Sequence, residues 1–292
     1  VSSTSSLGII DAAPVLKPGE FEKISRLAYE HFGLDLHSGK EGLVAARLGK
    51  KLRELGLKSF QAYYDYVKAD RTGAALETMV DQLTTNHTSF FREPRHFDFL
   101  RETVYPALRS RSQIHIWSAA CSSGEEPYSI AMTLLETAPS EAATKVRIKA
   151  TDISTRVLER AKRGVYPAER FKGISEAILH RYLLKGQNAS ANSYRFKNEV
   201  RNMIDFGHLN LMEKLPEGYR CSVIFCRNIM IYFDKPTQQS LVQRLSEHLE
   251  VGGYLFIGHS ESLNSIAHSL DYISPATYRK SGQTRIGQIG RG

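Results

Sequence analysis

Residues 114–129 read IHIWSAACSSGEEPYS. An apolar strand pattern runs into a turn of small residues, Ala119, Ala120, Cys121, Ser122, Ser123 and Gly124, and a helix pattern follows. Small residues let a ligand approach the backbone closely. In open α/β sheets ligands bind at the carboxyl ends of strands, at the switch point. The turn is not G-x-G-x-x-G, and it has no Lys for phosphates. Glu125 and Glu126 occupy the place where a phosphate would meet the helix N-terminus. Acids there repel phosphate and attract an ammonium or sulfonium, although they also serve as plain dipole caps.

Outward from this stretch, strands and helices alternate. VRIKATDI (146–153), MIDFGHLNL (203–211), SVIFCRNIMI (222–231) and YLFIGHS (254–260) read as strands. YSIAMTLLETA (128–138), TRVLERAKRG (155–164) and TQQSLVQRLSEHLE (237–250) read as helices, the last stopped by Gly252-Gly253. The alternation predicts an α/β fold with a doubly wound parallel sheet. Residues 165–206 interrupt it. SYRFKNEV (193–200) followed by MIDFGHLNL suggests a hairpin there, hence a small inserted antiparallel β-subdomain. Residues 19–93 carry helical periodicity instead: Phe21, Ile24, Leu27 and Ala28; Val44, Leu48, Leu52 and Leu55; Leu76, Met79, Val80 and Leu83. The expected organisation is a mobile start (1–18), an all-helical domain (19–93), an α/β domain (94–280) with its insertion, and a mobile tail (281–292).

The chain has 292 residues, 41% hydrophobic and 24% charged, which suits a globular protein able to bury a full core. No apolar run approaches the roughly 18 residues of a membrane span, and residues 1–8 lack the features of a secretory signal. Cys121, Cys221 and Cys226 are too irregular for a disulfide framework and read as thiols in a reducing compartment. Cys221 and Cys226 would face opposite sides of a continuous strand. His87, His96 and His259 lie near motifs without metal-ligand spacing and read as structural. The net charge of +8 suggests a polyanionic partner without choosing among nucleic acid, membrane surface and acidic protein.

Asp152 ends the strand after the small-residue turn. An acid there commonly holds ribose hydroxyls; it is otherwise a helix cap, a task Ser154 or Thr155 can perform here. A ribose-binding acid beside a second acid, with no phosphate ligand, fits S-adenosylmethionine better than a dinucleotide.

TTNHTSFFRE (84–93), WSAACSSGEEPYS (117–129), ATDIS (150–154), Asn210-Leu211 and FCRNIMIYFD (225–234) resemble the motifs of the CheR chemoreceptor methyltransferases, over about residues 19–280. The resemblance implies a class I S-adenosylmethionine methyltransferase sheet behind an N-terminal helical domain. It implies methyl transfer to receptor glutamates, with S-adenosylhomocysteine as product and no metal. Carried across residue by residue, cofactor contacts fall on Asn86, Thr88, Arg92, Glu126, Asp152, Asn210, Leu211, Arg227 and Asn228, and catalytic candidates on Arg92 and Tyr232. The implied partners are the cytoplasmic methylation helices of chemoreceptors. In some members the inserted subdomain also grips a short peptide at the receptor C-terminus, but here KGQNASANSY (185–194) keeps only Gly186 of the glycine-containing loop.

Residues 38–58 hold Lys40, Arg47, Lys50, Lys51, Arg53 and Lys58 against Glu41 and Glu54, a local excess of four. Arg47, Lys50, Lys51 and Arg53 are the expected docking face for acidic receptor helices, the alternative being a solvated surface. A second basic cluster, Arg279, Lys280, Arg285 and Arg291, lies in the expected tail. The reading is of a cytoplasmic monomer with no nucleic-acid partner and no membrane insertion. The alternatives are an RNA or DNA methyltransferase on the same fold and a non-catalytic cofactor- or receptor-binding module.

Overall fold

The structure is a computed structural model that describes residues 14–85, 87–215 and 218–282. The expected mobile ends lie largely outside these residues, as do Asn86, Arg285 and Arg291. The chain divides into two compact units between Thr85 and Asn86.

Among the described residues the first unit contains four helices, α1 (Pro18–Phe32), α2 (Glu41–Glu54), α3 (Phe60–Ala69) and α4 (Ala74–Leu83). The apolar stripes explain their packing. Ile24, Ala28, Val44, Leu48, Leu52 and Met79 are wholly buried, and Leu55 is half-buried at the end of its stripe. After α2 the chain turns through Gly56, at φ 68°, a left-handed conformation that costs glycine nothing. Ser59 caps α3 by accepting from the Ala62 amide.

Among the described residues the second unit holds ten strands: β1 (Ile114–Ala119), β2 (Val146–Asp152), β3 (Val165–Pro167), β4 (Leu183–Lys185), β5 (Ser193–Phe196), β6 (Ile204–His208), β7 (Cys221–Cys226), β8 (Leu249–Phe256), β9 (Leu270–Ser274) and β10 (Thr277–Lys280). Seven form one sheet in the order β6-β2-β1-β7-β8-β10-β9. The first five are mutually parallel, and β10 runs antiparallel to both neighbours. Strand alternation sends Ile116 and Phe225 into one core and Trp117 and Ile224 into another. Helix Glu125–Thr137 packs into the first core and helix Lys235–His248 into the second, so the sheet is covered on both faces. The chain leaves β1 to β2 on one side and later returns to β7 on the other. The switch point therefore lies at the carboxyl end of β1.

A second sheet, β3-β5-β4, is antiparallel and lies within the stretch that interrupts the alternation. The expected hairpin between 193–200 and 203–211 does not form. The short helix Asn198–Arg201 separates the two segments, and β6 joins the large sheet beside β2 while β5 stays between β3 and β4.

Four other expectations are corrected. The strand expected over 222–231 stops at Cys226, because Asn228 adopts φ 59° and the chain turns into a single 3-10 turn, Met230–Tyr232. Gly252-Gly253 does not stop the helix, which ends at His248; the pair lies inside β8, where the β7–β8 register shifts. A Cβ on Gly253 would sit 2.9 Å from the Ser222 carbonyl oxygen, so the irregularity needs glycine. The same shift, between Cys221 and Val223, breaks strand alternation, so Cys221 and Cys226 share one core. Finally, Arg279 and Lys280 belong to β10, not to a tail. The sequence reading missed both β9 and β10.

Candidate active site

The small-residue turn after β1 bends through Ala120 at φ 64°, Ser122 at φ 49° and Gly124 at φ 97°. A Cβ on Gly124 would lie 2.7 Å from the Tyr166 hydroxyl oxygen, so this glycine answers to both conformation and space. Asp152 holds the turn from the end of β2. Its Oδ2 accepts from the Ser122 amide at 2.8 Å and its Oδ1 from the Ser154 amide at 2.9 Å. Ser154 caps the helix Thr155–Arg163 through its own hydroxyl, so Asp152 is not that helix's cap.

Parallel pairing sets Asp152 beside His208 at the end of β6. That brings Asn210 and Leu211, both largely buried, to the same sheet end. Asn210 Oδ1 accepts from the Met212 amide at 3.0 Å. The Ser122 hydroxyl is buried with no protein partner, next to the Asp152 carboxylate that holds its backbone. An orphaned hydroxyl, a carboxylate and a backbone free of bulky side chains fit a polar, non-phosphate ligand such as a nucleoside.

A second group of side chains meets at the neighbouring strand ends, where Ala119 pairs with Cys226. Arg227 is 2% exposed along its side chain. Its Nη1 donates to Glu126 Oε2 at 2.9 Å, its Nη2 to Glu93 Oε2 at 2.9 Å, and Nη2 also reaches the Arg92 carbonyl at 2.5 Å. Glu126 in turn accepts from the Ser118 hydroxyl at 2.6 Å. Burial opposes ionisation of Glu93, but the Arg227 charge and four donated hydrogen bonds outweigh it and hold the carboxyl at about 2. Arg92 donates from Nη1 to the His87 carbonyl at 2.9 Å.

The turn carrying Tyr232 hangs on Glu261. Its carboxylate accepts from the amides of Asn228 (3.0 Å), Met230 (2.8 Å) and Gly258 (2.6 Å). Burial raises the Glu261 pKa despite these amides, which pull it down. Gln238 adds bonds to the Met230 and Phe233 carbonyls, leaving Tyr232 half-buried at the end of the turn.

Glu125 departs from expectation. It does not face a cofactor cation beside Glu126. Its side chain is wholly buried, paired with Arg170 of the inserted segment and accepting from the Ser123 hydroxyl at 2.6 Å. Successive helix positions point about 100° apart, so the two acids separate. Arg170 also donates to the Thr88 carbonyl at 2.6 Å, which places Thr88.

Two of the three histidines come together in the fold. His96 and His259 converge with Glu93, and one ligand atom from each lies within 4.8 Å of the others. Sequence spacing could not show this, because the fold joins residues 163 positions apart. Both Glu93 oxygens already accept hydrogen bonds, and the Arg227 guanidinium lies against Oε2. Burial and the Arg227 charge push His96 down to about 3, with Glu93 opposing.

In the helical unit, Lys50 and Arg53 are exposed, and Lys51 pairs with Glu54 at 3.4 Å. Arg47 is engaged within the unit, donating to the Leu83 carbonyl and to the Thr85 hydroxyl at 2.6 Å. Among the described residues no helix is long and apolar enough to cross a membrane. The sequence reading gave no individual role to Glu93, Ser118, Arg170 or Glu261, and gave Ser122 only a place in the small-residue turn. Glu93, Ser118 and Ser122 lay inside the quoted segments, whereas Arg170 and Glu261 carried no signal.

Two family models match the chain. One, described as CheR methyltransferase, SAM binding domain, covers residues 86–278; the other, CheR methyltransferase, all-alpha domain, covers residues 19–84. A chemotaxis protein methyltransferase from Borreliella burgdorferi is 39% identical over 270 residues, 90% of this chain and 94% of that protein. The Salmonella typhimurium chemotaxis protein methyltransferase is 38% identical, covering 91% of each chain. The one from Escherichia coli is 39% identical, covering 86% of this chain and 87% of its own length.

Proposed function

The chain belongs to the CheR methyltransferase family, and from that premise we propose that it methylates glutamate side chains of methyl-accepting chemotaxis receptors, forming glutamate methyl esters and S-adenosylhomocysteine. It is an S-adenosylmethionine-dependent methyltransferase with a class I sheet. The observation that carries the finer reading is the grouping of residues at the strand ends. It joins Asp152, Asn210 and the small-residue turn without a phosphate ligand, and it lies one strand from the loop that bears Tyr232.

When bound, S-adenosylmethionine supplies a methyl group on a cationic sulfur. In this reading Asp152, Asn210, Leu211 and Thr88 hold it, and Asn228 and Glu126 border it. Arg227 acts mainly by fixing Glu126 and the Arg92 backbone. Asn86 belongs to the same proposed set. A glutamate side chain has an unperturbed pKa of about 4.3, so at neutral pH it is already nucleophilic and needs no general base. Arg92 and Tyr232 orient that carboxylate, and the chain's contribution is chiefly positioning. A strong grip by Arg92 would blunt the nucleophile, and its bond to the His87 carbonyl restrains the guanidinium.

The proposed partners are the acidic methylation helices of receptors, met by Lys50, Lys51 and Arg53 on α2, with the enzyme acting as a cytoplasmic monomer without a metal. Of the glycine-containing loop that would bind a receptor C-terminal peptide at the small sheet, this chain keeps only Gly186.

The test is incubation with methyl-labelled cofactor and receptor cytoplasmic fragments. Label should enter receptor and be released by alkali as volatile methanol. Label that survives alkali, or that enters RNA instead, would refute glutamate esterification.

A further inference from the structure

We propose that Glu93 is a positioning residue of the methyl-transfer site, holding Arg92 and Asn228 in fixed relation through its own carboxylate and through Arg227. The inference rests on the reading of Arg92 and Asn228 given above. Glu93 follows Arg92 directly and adopts φ 59°, a left-handed conformation uncommon for a residue with a side chain. Its carboxylate joins three segments far apart in sequence. Oε2 accepts from Arg227 Nε at 3.3 Å and Nη2 at 2.9 Å, on the loop after β7. Oε1 accepts from Asn228 Nδ2 at 3.3 Å, and from the His259 amide at 3.1 Å, on the loop after β8.

The loop is closed by Arg227, whose Nη2 returns to the Arg92 carbonyl. Arg92 is thereby tied at its backbone to the guanidinium that Glu93 holds. Asn228 is also left-handed, at φ 59°, and is gripped from two sides: Glu93 takes its amide group and Glu261 its backbone N–H. Such a conformation persists only where surrounding contacts over-determine it. A metal ion shared by Glu93, His96 and His259 would compete with Arg227 for Oε2, so the geometry favours the hydrogen-bonded role.

All four bonds to Glu93 come from donors. A glutamine keeps the shape but turns one acceptor into a donor, which must then face Arg227 on one side or Asn228 and His259 on the other. Glu93→Gln and Glu93→Asp should be compared with wild type at a temperature where circular dichroism shows all three folded. In Glu93→Gln, kcat should fall and cofactor Kd rise, each by roughly tenfold or more, with receptor KM within about twofold. Glu93→Asp keeps the charge and should recover part of both losses. A folded Glu93→Gln with kcat and cofactor Kd near wild type would overturn the proposal. So would equal impairment of both variants in step with lost thermal stability, the mark of a purely structural role. Cofactor Kd is read without receptor. If wild type failed to methylate any receptor, the substrate reading would fall while the binding comparison still decided the role of Glu93.

Discussion

Arg170 pairs with Glu125, a wholly buried carboxylate in the first turn of the helix that follows the small-residue turn. Arg170 belongs to the segment that carries the small antiparallel sheet, and it also donates to the Thr88 carbonyl. One guanidinium thus links the insertion to two parts of the proposed cofactor site.

Removing it should be costly. Arg170→Ala leaves Glu125 buried without its cation, and breaking such a pair costs about 3–5 kcal/mol. Arg170 is 29% exposed, so the lower end, about 3 kcal/mol, is expected. Urea unfolding of Arg170→Ala, with and without Glu125→Gln, measures it. The double variant should recover most of the loss, because no unpaired charge remains inside.

Gly124→Ala should disable the cofactor turn. The residue sits at φ 97°, and its new Cβ would lie 2.7 Å from the Tyr166 hydroxyl oxygen and 2.8 Å from Ala161 Cβ. Left-handed strain of about 1–2 kcal/mol adds to overpacking of about 1–3 kcal/mol. Both a lower unfolding midpoint and weaker cofactor binding are expected; wild-type affinity would show that the turn can yield.

Asp152→Asn should weaken cofactor binding without unfolding the protein. Asn keeps an acceptor oxygen for one of the Ser122 and Ser154 amides and turns its NH2 toward the other, while Ser154 still caps the following helix. Hydrogen bonds to a charged acceptor contribute about 1.5–3 kcal/mol each, so affinity should drop by roughly tenfold or more. Calorimetry on the folded variant decides it.

The basic helix should separate into two behaviours. Reversing Lys50 and Arg53, both exposed, should raise receptor KM and leave cofactor affinity alone, with the wild-type contact weakening as salt screens it over about 10 Å at 0.1 M. Arg47→Glu should instead lower the stability of the helical unit, because its guanidinium binds the Leu83 carbonyl and the Thr85 hydroxyl. Normal receptor KM in the Lys50/Arg53 double reversal would make α2 a solvated surface.

Acid should destabilise the fold through His96 before it reaches Glu93. Burial, then the Arg227 charge, lowers His96 from 6.5 to about 3, so the unfolded chain binds that proton first. Stability should therefore fall as pH drops below 6.5, by up to about 1.4 kcal/mol per unit until about pH 3. Glu93, lowered from 4.5 to about 2, contributes stability that is present above 4.5 and lost as pH falls through about 2. Urea unfolding between about pH 7 and about pH 5 reads His96 together with His268, which burial also lowers from 6.5, and His96→Phe should remove the His96 share of the slope there. An unchanged slope in that variant would assign the acid sensitivity elsewhere.

Much of this was legible in the residues. Period-3.6 stripes marked α1, α2 and α4 of the helical unit but not α3, and the strand–helix alternation marked the parallel sheet. Local chemistry identified the turn at 119–124 and the acid at 152, because both are signals carried within a few positions. The failures share a cause. The 193–211 hairpin and the role of Gly252-Gly253 depended on which strand lay alongside, and the end of the strand after Ser222 on Glu93 and Glu261, which hold the left-handed Asn228; all of these partners are remote in sequence.

The sequence by itself determined most of the helices and parallel strands, the small-residue turn and the family, since periodicity, small-residue runs and motif identity are properties of contiguous residues. Only the tertiary structure decided which charges are partners. Glu125 turns to Arg170, Glu126 and Glu93 share Arg227, and Glu261 holds the Tyr232 turn, across separations of 45, 101, 134 and about 31 positions. A carboxylate is a cap, a ligand or a clamp according to the donors that the fold brings within hydrogen-bonding distance, and no local pattern contains them.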